Sequence, residues 1–379
     1  MAVILFIAAI VSWIACFLLI YYKHVHHKFS ADQSGSGPQK MHHGATPRIG
    51  GVPIFAGLLS ALAALYLGEW HVNSLFFVLA ILPVWLAGII EDVTKKVSPL
   101  KRLLAAFVAA LLGMWLLDAK LIRLGLPLLD HLVSSYIVLN ALLVMLAVGG
   151  ITHAMNIIDG FNGLAGTVVL MILSALAYVS YQVGDVFLLG QCIALIGATL
   201  GFLFWNYPRG TIFAGDGGAY LWGFMIAEIC VMLVYRNPSV SPWFPLLLVI
   251  YPVWETVFSI YRRKIIRGLP AGLPDAIHLH SLVYKRLVRH MIGSKEAAHI
   301  VKRNSMTAPY LWGLTAFSII PAVLCWSNTP LILLFTGIFI LCYCIFYAMI
   351  VRFKIKPWMT VGERTSESDE NHKLSRDAA

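Results

Sequence analysis

Eleven long apolar runs divide this chain, and they leave few folds open to it. A helix needs about 20 mostly apolar residues to cross a hydrocarbon core ~30 Å thick. Runs of that order occupy 2–22, 49–67, 74–90, 103–117, 134–152, 164–181, 186–205, 218–235, 243–261, 309–326 and 331–351. With 59% hydrophobic and 12% charged residues and a mean hydropathy of +0.80, the 379-residue chain is too apolar for an ordinary soluble domain. Gly and Pro sit inside continuous apolar stretches, without period-two alternation, so the spans are helices rather than barrel strands. The expected fold is an all-α polytopic membrane bundle of about eleven helices. It forms one membrane domain over 1–361, followed by a polar, disordered tail at 362–379.

The basic residues orient the bundle. Placing the segment after the first run in the cytoplasm collects 25 of the 28 Lys and Arg on that side, leaving Lys120, Arg123 and Arg236. The positive-inside rule then puts the N-terminus in the periplasm and the C-terminus in the cytoplasm. The net charge of +10 is therefore mainly a topology signal. Attraction of anionic lipids and nucleotide phosphates is its second use, and no soluble basic surface for nucleic acid is visible. The first run is long and lacks a small-residue cleavage pattern, so it reads as a retained helix. Cys16, Cys192, Cys230, Cys325, Cys342 and Cys344 all fall within spans and read as small packing residues. Ser34 to Pro38 is a flexible linker.

Four polar motifs interrupt the apolar runs, each at the end expected to face the cytoplasm. Glu91-Asp92 closes the third run, at a helix C-terminus where the macrodipole disfavours negative charge. Adjacent acids raise each other's pKa, which suits a proton acceptor or half of a metal site; they could also simply mark a helix end. Asn156-Ile-Ile-Asp159-Gly-Phe-Asn162-Gly163 places Asn156 and Asp159 on one face if the turn is helical, with Asn162 extending it. No Lys or Arg accompanies Asp159, so a metal or a substrate cation is its simplest partner, an Asx-rich turn being the bland alternative. Phe213-Ala-Gly-Asp216-Gly-Gly218 puts Asp216 in a glycine cluster at a helix start, where free N–H groups suit phosphate and the carboxylate suits Mg²⁺ or Mn²⁺. An N-terminal capping role fits Asp216 equally well.

Pro274-Asp275-Ala-Ile-His278-Leu-His280 lies in the most basic loop. The His-x-His spacing is wrong for a helical zinc pair, and imidazole donors suit pyrophosphate oxygens. Arg262, Arg263, Lys264, Arg267, Lys285, Arg286 and Arg289 would reinforce that, or would form a solvated loop against anionic lipid. His24, His26, His27, His42 and His43 are ambiguous. Two acids fall within spans, where charge is expensive. Glu255 is about one and a half turns from the cytoplasmic end and within reach of the motifs. Glu228 lies deeper and reads as a structural polar contact.

In this order the motifs resemble the polyprenyl-phosphate N-acetylhexosamine-1-phosphate transferase family (glycosyltransferase family 4). The likeness runs from about His42 to Arg289 and includes the loop Thr46-Pro-Arg48-Ile-Gly-Gly51, the acid pair, Asn-x-x-Asp-Gly, Asn206 seven residues before Phe213, Phe-x-Gly-Asp and His-x-His. The resemblance implies a Mg²⁺- or Mn²⁺-dependent transfer of sugar-1-phosphate from a UDP-N-acetylhexosamine to undecaprenyl phosphate at the bacterial inner membrane, releasing UMP. It implies Asp216 as principal metal ligand and Asp159 as a metal-proximal or catalytic acid. Glu91 and Asp92 would deprotonate or orient the lipid phosphate, with Lys95, Arg102 and Arg48 as basic positions nearby. Asn156, Asn162, Asn206 and Phe213 would bind substrate, the last three at uracil, and His278 and His280 the diphosphate; Glu255 is a secondary candidate.

Glu91 departs from the family's Asp, and Ser281 stands where many relatives carry another histidine. These departures, with no pentapeptide-recognition element in view, favour the O-antigen-initiating branch over the phospho-N-acetylmuramoyl-pentapeptide transferase. Membrane lipids are the remaining partners, and a homodimer is allowed but not required. Direct attack and a phospho-enzyme intermediate both stay open. The rival class, a secondary transporter, places its acids near the bilayer midplane on inverted repeats, and neither feature is found here.

Overall fold

A computed structural model describes residues 1–25, 31–32, 46–68, 74–268, 277–288 and 297–352. Among them the long elements are all helical: α1 (Ala2–Tyr21), α2 (Gly51–Leu67), α3 (Ser74–Thr94), α4 (Pro99–Leu116), α5 (Pro127–Ser135), α6 (Ile137–Ile158) and α7 (Leu164–Gln182) come first. Then follow α8 (Val186–Asn206), α9 (Gly215–Arg236), α10 (Phe244–Leu248), α11 (Ile250–Tyr261), α12 (Leu279–Leu282), α13 (Ala297–Leu324) and α14 (Thr329–Val351). The extended pieces are a two-residue antiparallel pairing, Ala31 with Pro47 and Asp32 with Thr46.

Among the described residues nine helices are long and apolar enough to cross a membrane. The expected eleven spans differ from this in two places. Run 49–67 becomes α2, a shorter helix of 17 residues. Run 243–261 is broken at Val249 into α10 and α11, with Pro252 just past the break lacking the N–H that a continuous ladder would need there. The short helix α5 was not anticipated, because nine residues carrying Asp130 and His131 make no apolar run.

The center of the bundle is α9. From Gly215 to Val234 every residue is buried, including Tyr220 and Trp222. A helix apolar on all sides belongs inside its neighbours, and α9 packs against α6, α3, α2 and α7. The peripheral helices instead expose large apolar side chains such as Phe6, Leu111, Trp115 and Leu341, as lipid-facing surfaces do. Capping sets several helix starts. Ser98 accepts from Lys101 N ahead of Pro99, Asp185 from Leu188 N, and Asn328 from Leu331 N.

Connectivity brings the C-terminal ends of α3, α6, α8 and α11 to the same end of the bundle as the N-terminal ends of α2, α4, α7 and α9. At the opposite end, the three basic residues outside the charge asymmetry each have local partners. Lys120 pairs with Asp118 at 2.5 Å, and Arg236 with Asp185 at 2.7 Å. Arg123 donates to the carbonyl of Val234, in the last turn of α9, and to those of Asn237, Pro238 and Val240 in the loop that follows. All six cysteines are free thiols.

Candidate active site

Glycine lets three helix ends meet. A Cβ on Gly51, at the start of α2, would lie 2.4 Å from Gly218 N; one on Gly88, near the end of α3, would lie 2.6 Å from Gly217 Cα. Only a residue without a side chain permits that approach. The strand-like stretch before α2 is stitched to the turn before α9 by Phe213 N to Pro47 O, Gly50 N to Phe213 O and Gly51 N to Ala214 O, each 2.9 Å. These contacts set Arg48 and the acid pair beside the first turn of α9.

Asp92 is fully buried, and its carboxylate accepts from Asp216 N and Gly217 N at 2.9 Å each. This resolves the unfavourable placement of an acid at a helix C-terminus. Asp92 belongs to α3 by sequence, yet it caps the N-terminus of α9, where the dipole favours negative charge. It also corrects the expectation of free amides for phosphate in the Gly215–Gly218 turn. Two of those N–H groups are already satisfied by the protein's own anion.

Asp216 itself receives two guanidiniums. Arg48 Nη2 lies 3.3 Å from Oδ1, and Arg102 Nη1 donates to Oδ2. Arg48 also approaches Asp92 at 4.0 Å. Tyr220, one turn further along α9, receives a hydrogen bond on its hydroxyl from Asn156 Nδ2 at 3.4 Å, and Arg102 lies over its ring at 6.0 Å. His153 completes this inner layer, edge-on to Tyr220 at 5.2 Å. His153 and Tyr220 were not anticipated; a lone histidine one turn before Asn156 in an apolar span was the available signal.

Asp159 follows the last residue of α6. Burial pushes its carboxyl up to about 7, with Arg48 pulling downward and Asp216 pushing upward. Asp92, Asp159 and Asp216 thus gather around Arg48. Asn162 does not extend the Asn156–Asp159 face, because α6 ends at Ile158 and the chain turns away. Its N–H donates to Asn304 Oδ1 at 2.8 Å, and its Nδ2 to Pro208 O at 3.0 Å. Asn206 is engaged at both ends of its amide, accepting from Gly163 N at 2.7 Å and donating to Ile212 O at 2.8 Å. Both asparagines brace turns. Phe213 is half-buried beside the stitched loop.

Glu91 diverges from its neighbour. Its Oε2 accepts from Val97 N at 2.7 Å and closes the turn between α3 and α4, where Lys95 is exposed in a left-handed conformation with φ 57°. The histidine segment approaches from the other side. A Cβ on Gly160 would meet His280 Nε2 at 3.3 Å, and Phe161 packs edge-on against His280 at 5.5 Å. His278 stacks on His280 with ring centroids 5.2 Å apart. His278 Nδ1 lies 2.9 Å from Glu255 Oε1 and 3.0 Å from Ser259 Oγ.

The basic residues around this segment are not all a solvated fringe. Arg262 is buried and donates to Tyr347 Oη at 2.7 Å, and Arg286 donates to Ile350 O at 3.0 Å. Glu228 is buried against Gly113, and neither carboxylate oxygen has a hydrogen-bond partner among the described residues, so it is not the polar contact expected. Pro274, Asp275, Arg289, His26, His27, His42, His43, the linker from Ser34 and the tail from 362 lie outside the described residues.

The family model for glycosyl transferase family 4 matches residues 74–234, a stretch that holds the acid pair, Asp159 and Asp216. The chain is 30% identical over 247 residues to a probable undecaprenyl-phosphate N-acetylglucosaminyl 1-phosphate transferase of Bacillus subtilis, covering 64% of this chain and 66% of that protein. It is 27% identical over 258 residues to the undecaprenyl-phosphate alpha-N-acetylglucosaminyl 1-phosphate transferase of Yersinia pestis, covering 65% and 68%. Against the protein of that name in Escherichia coli K12 the identity is 25% over 258 residues, covering 65% and 67%. The matches span about two thirds of the length of these relatives.

Proposed function

Because the chain belongs to glycosyl transferase family 4, we propose that it moves N-acetylhexosamine-1-phosphate from a UDP-sugar to undecaprenyl phosphate at the cytoplasmic face of a bacterial inner membrane. An oxygen of the lipid phosphate forms a bond to the sugar-bearing phosphorus, and the bond from that phosphorus to UMP breaks. The products are polyprenyl-diphospho-sugar and UMP. The observation that carries this reading is the cluster of Arg48, Arg102, Asp92, Asp159 and Asp216 on glycine-packed helix ends. Transfer between two anions needs charge neutralisation and alignment more than covalent chemistry from the protein.

Each residue then has a part. Arg48 and Arg102 are the nearest cations for phosphate oxygens, and Asp216 holds both in place. Burial holds the Asp159 carboxyl up to about 7 in the absence of a cation, which suits it to receive the proton that the lipid phosphate gives up. Asp92 aligns Asp216 through the amides of α9. His278 and His280 supply donors to the diphosphate, and Phe213 offers a ring to the uracil. Glu91 shapes the turn that presents Arg102.

A divalent cation fits this donor set. Asp159 and Asp216 offer hard oxygens that feel each other's charge, although no group of three His, Cys, Asp or Glu suited to a metal exists among the described residues. Mg²⁺ typically takes one or two carboxylates and completes its shell with phosphate oxygens and water. Bound there, it would neutralise phosphate charge and polarise the P–O bond that breaks. The relatives' names make UDP-N-acetylglucosamine the first donor to try. The test is UMP release by the purified chain in detergent with undecaprenyl phosphate, Mg²⁺ and a panel of UDP-N-acetylhexosamines. Release that requires both substrates supports the reading. No release from any donor refutes it.

A further inference from the structure

Two glutamates are buried to the same degree inside this bundle, and the protein treats them oppositely. Glu228 has no hydrogen-bond donor on either oxygen among the described residues. Glu255, also at zero exposure, has three. Tyr343 Oη donates to Oε2 at 2.7 Å, Leu279 N to Oε1 at 3.1 Å, and His278 Nδ1 lies 2.9 Å from Oε1. These donors come from α14, from α12 and from the residue before α12. Burying a carboxylate is costly unless donors replace water, so a carboxylate met by three donors has a built environment.

The surroundings of His278 are equally defined. Ser259 Oγ lies 3.0 Å from the same Nδ1, and Arg262 Nη2 donates to that hydroxyl at 3.4 Å. Arg262 also reaches Tyr347 on α14, whose hydroxyl donates to Ile277 O at 3.2 Å. Stacking on His280 fixes the ring plane. A histidine with one nitrogen held by a buried carboxylate carries its proton there and presents the other nitrogen in a set direction.

We propose that Glu255 is the positioning residue for His278: it holds the Nδ1 proton, so that Nε2 meets the substrate diphosphate as charge builds on the departing UMP. The inference rests on the transferase reading and adds to it a residue that need not touch substrate. With Glu255 anionic, an imidazole that binds a second proton at Nε2 becomes an imidazolium paired to a carboxylate, and it donates a charge-assisted hydrogen bond. The phenol of Tyr343 keeps the carboxylate turned toward the ring, which gives the last helix a part in the site.

The experiment is steady-state UMP release by the full chain in detergent, using whichever UDP-N-acetylhexosamine supports turnover. Glu255→Gln keeps the shape of the side chain and an acceptor for Leu279 N, but loses the charge. Its kcat is expected to fall ~10–100-fold, the usual cost of removing a group that orients a functional histidine. KM for undecaprenyl phosphate should stay within about twofold, since the dyad acts on the departing UMP rather than on the lipid phosphate. Glu255→Asp should recover part of the lost turnover. In a His278→Ala background, Glu255→Gln should add little further loss, because residues acting as one unit are not additive.

Wild-type kcat in Glu255→Gln, or an equal further loss in the His278→Ala background, overturns the assignment and leaves the transferase reading standing. If Glu255→Gln does not fold, Tyr343→Phe carries the test. It removes one donor from Oε2 and should lower kcat several-fold with His278 present and not in its absence. A wild-type chain that releases UMP from no donor overturns both readings together.

Discussion

Asp92→Asn isolates the work of the carboxylate that joins α3 to α9. The wild-type side chain is fully buried and accepts two backbone N–H groups at 2.9 Å. An amide in the same rotamer keeps one acceptor and turns an NH₂ toward the other N–H. One hydrogen bond to a charged group is lost, worth ~1.5–3 kcal/mol, and one buried donor is left unsatisfied at a further ~1–3 kcal/mol. The sum is ~2.5–6 kcal/mol, concentrated where Asp216 leaves the helix. If ~3 kcal/mol of it appears as misplacement of Asp216, turnover falls ~10²-fold, since each 1.4 kcal/mol is a factor of ten. Thermal unfolding in detergent should shift down together with UMP release. Glu91→Gln is the control. Its oxygen closes a partly exposed turn through Val97 N, and the amide can still accept that bond, so the loss should stay under about tenfold. Wild-type stability and turnover in Asp92→Asn, with turnover abolished in Glu91→Gln, would refute this division of labour and make Glu91 the chemical residue.

Asp216→Asn should remove most divalent-ion-dependent UMP release while the protein still folds, because a lost charged metal ligand forfeits several kcal/mol of charge stabilisation; normal turnover at an unchanged Mg²⁺ requirement would place the ion elsewhere. Asp159, raised to about 7 from an ordinary ~3.9, binds its proton more tightly when folded, so its contribution favours folding below pH ~4 and is lost as pH rises through about 7. In EDTA, Asp159→Asn should therefore gain stability relative to wild type between pH 5 and 8, and a pH-independent difference would contradict the assignment. For orientation, single cysteines at Lys96 and Arg209 in a background without the six native thiols should be labelled from the cytoplasmic face and one at Lys120 from the outer face. The reverse pattern would overturn the topology.

The membrane class was legible because apolar length is a local property. Nine of the long helices coincide with apolar runs, whereas the break at Val249 depends on how α10 and α11 pack. The acids and histidines were legible too, since charge in an apolar chain is conspicuous. Their partners were not. Asp92 and Gly217 are 125 residues apart, and Arg102 and Asp216 are 114 apart; no periodicity reports such a pairing. Asn206 shows the converse limit. A conspicuous amide before Phe213 resembles a ligand contact in sequence, and only the fold reveals Gly163 N and Ile212 O closing on both its ends.

Where Gly51 and Gly88 meet Gly217 and Gly218, backbone presses on backbone with no side chain between to take up slack. A joint of that kind has no rotamers and so almost no play. Arg48, Asp92 and Asp216 are machined onto one block, and none can shift without carrying the others. Whatever accommodation the enzyme makes for donors of different size then falls to the opposing half. There the histidine segment meets the turn after α6 through edge-on and tilted rings, Phe161 against His280 and Tyr284, contacts that slide and tilt where glycine seams cannot.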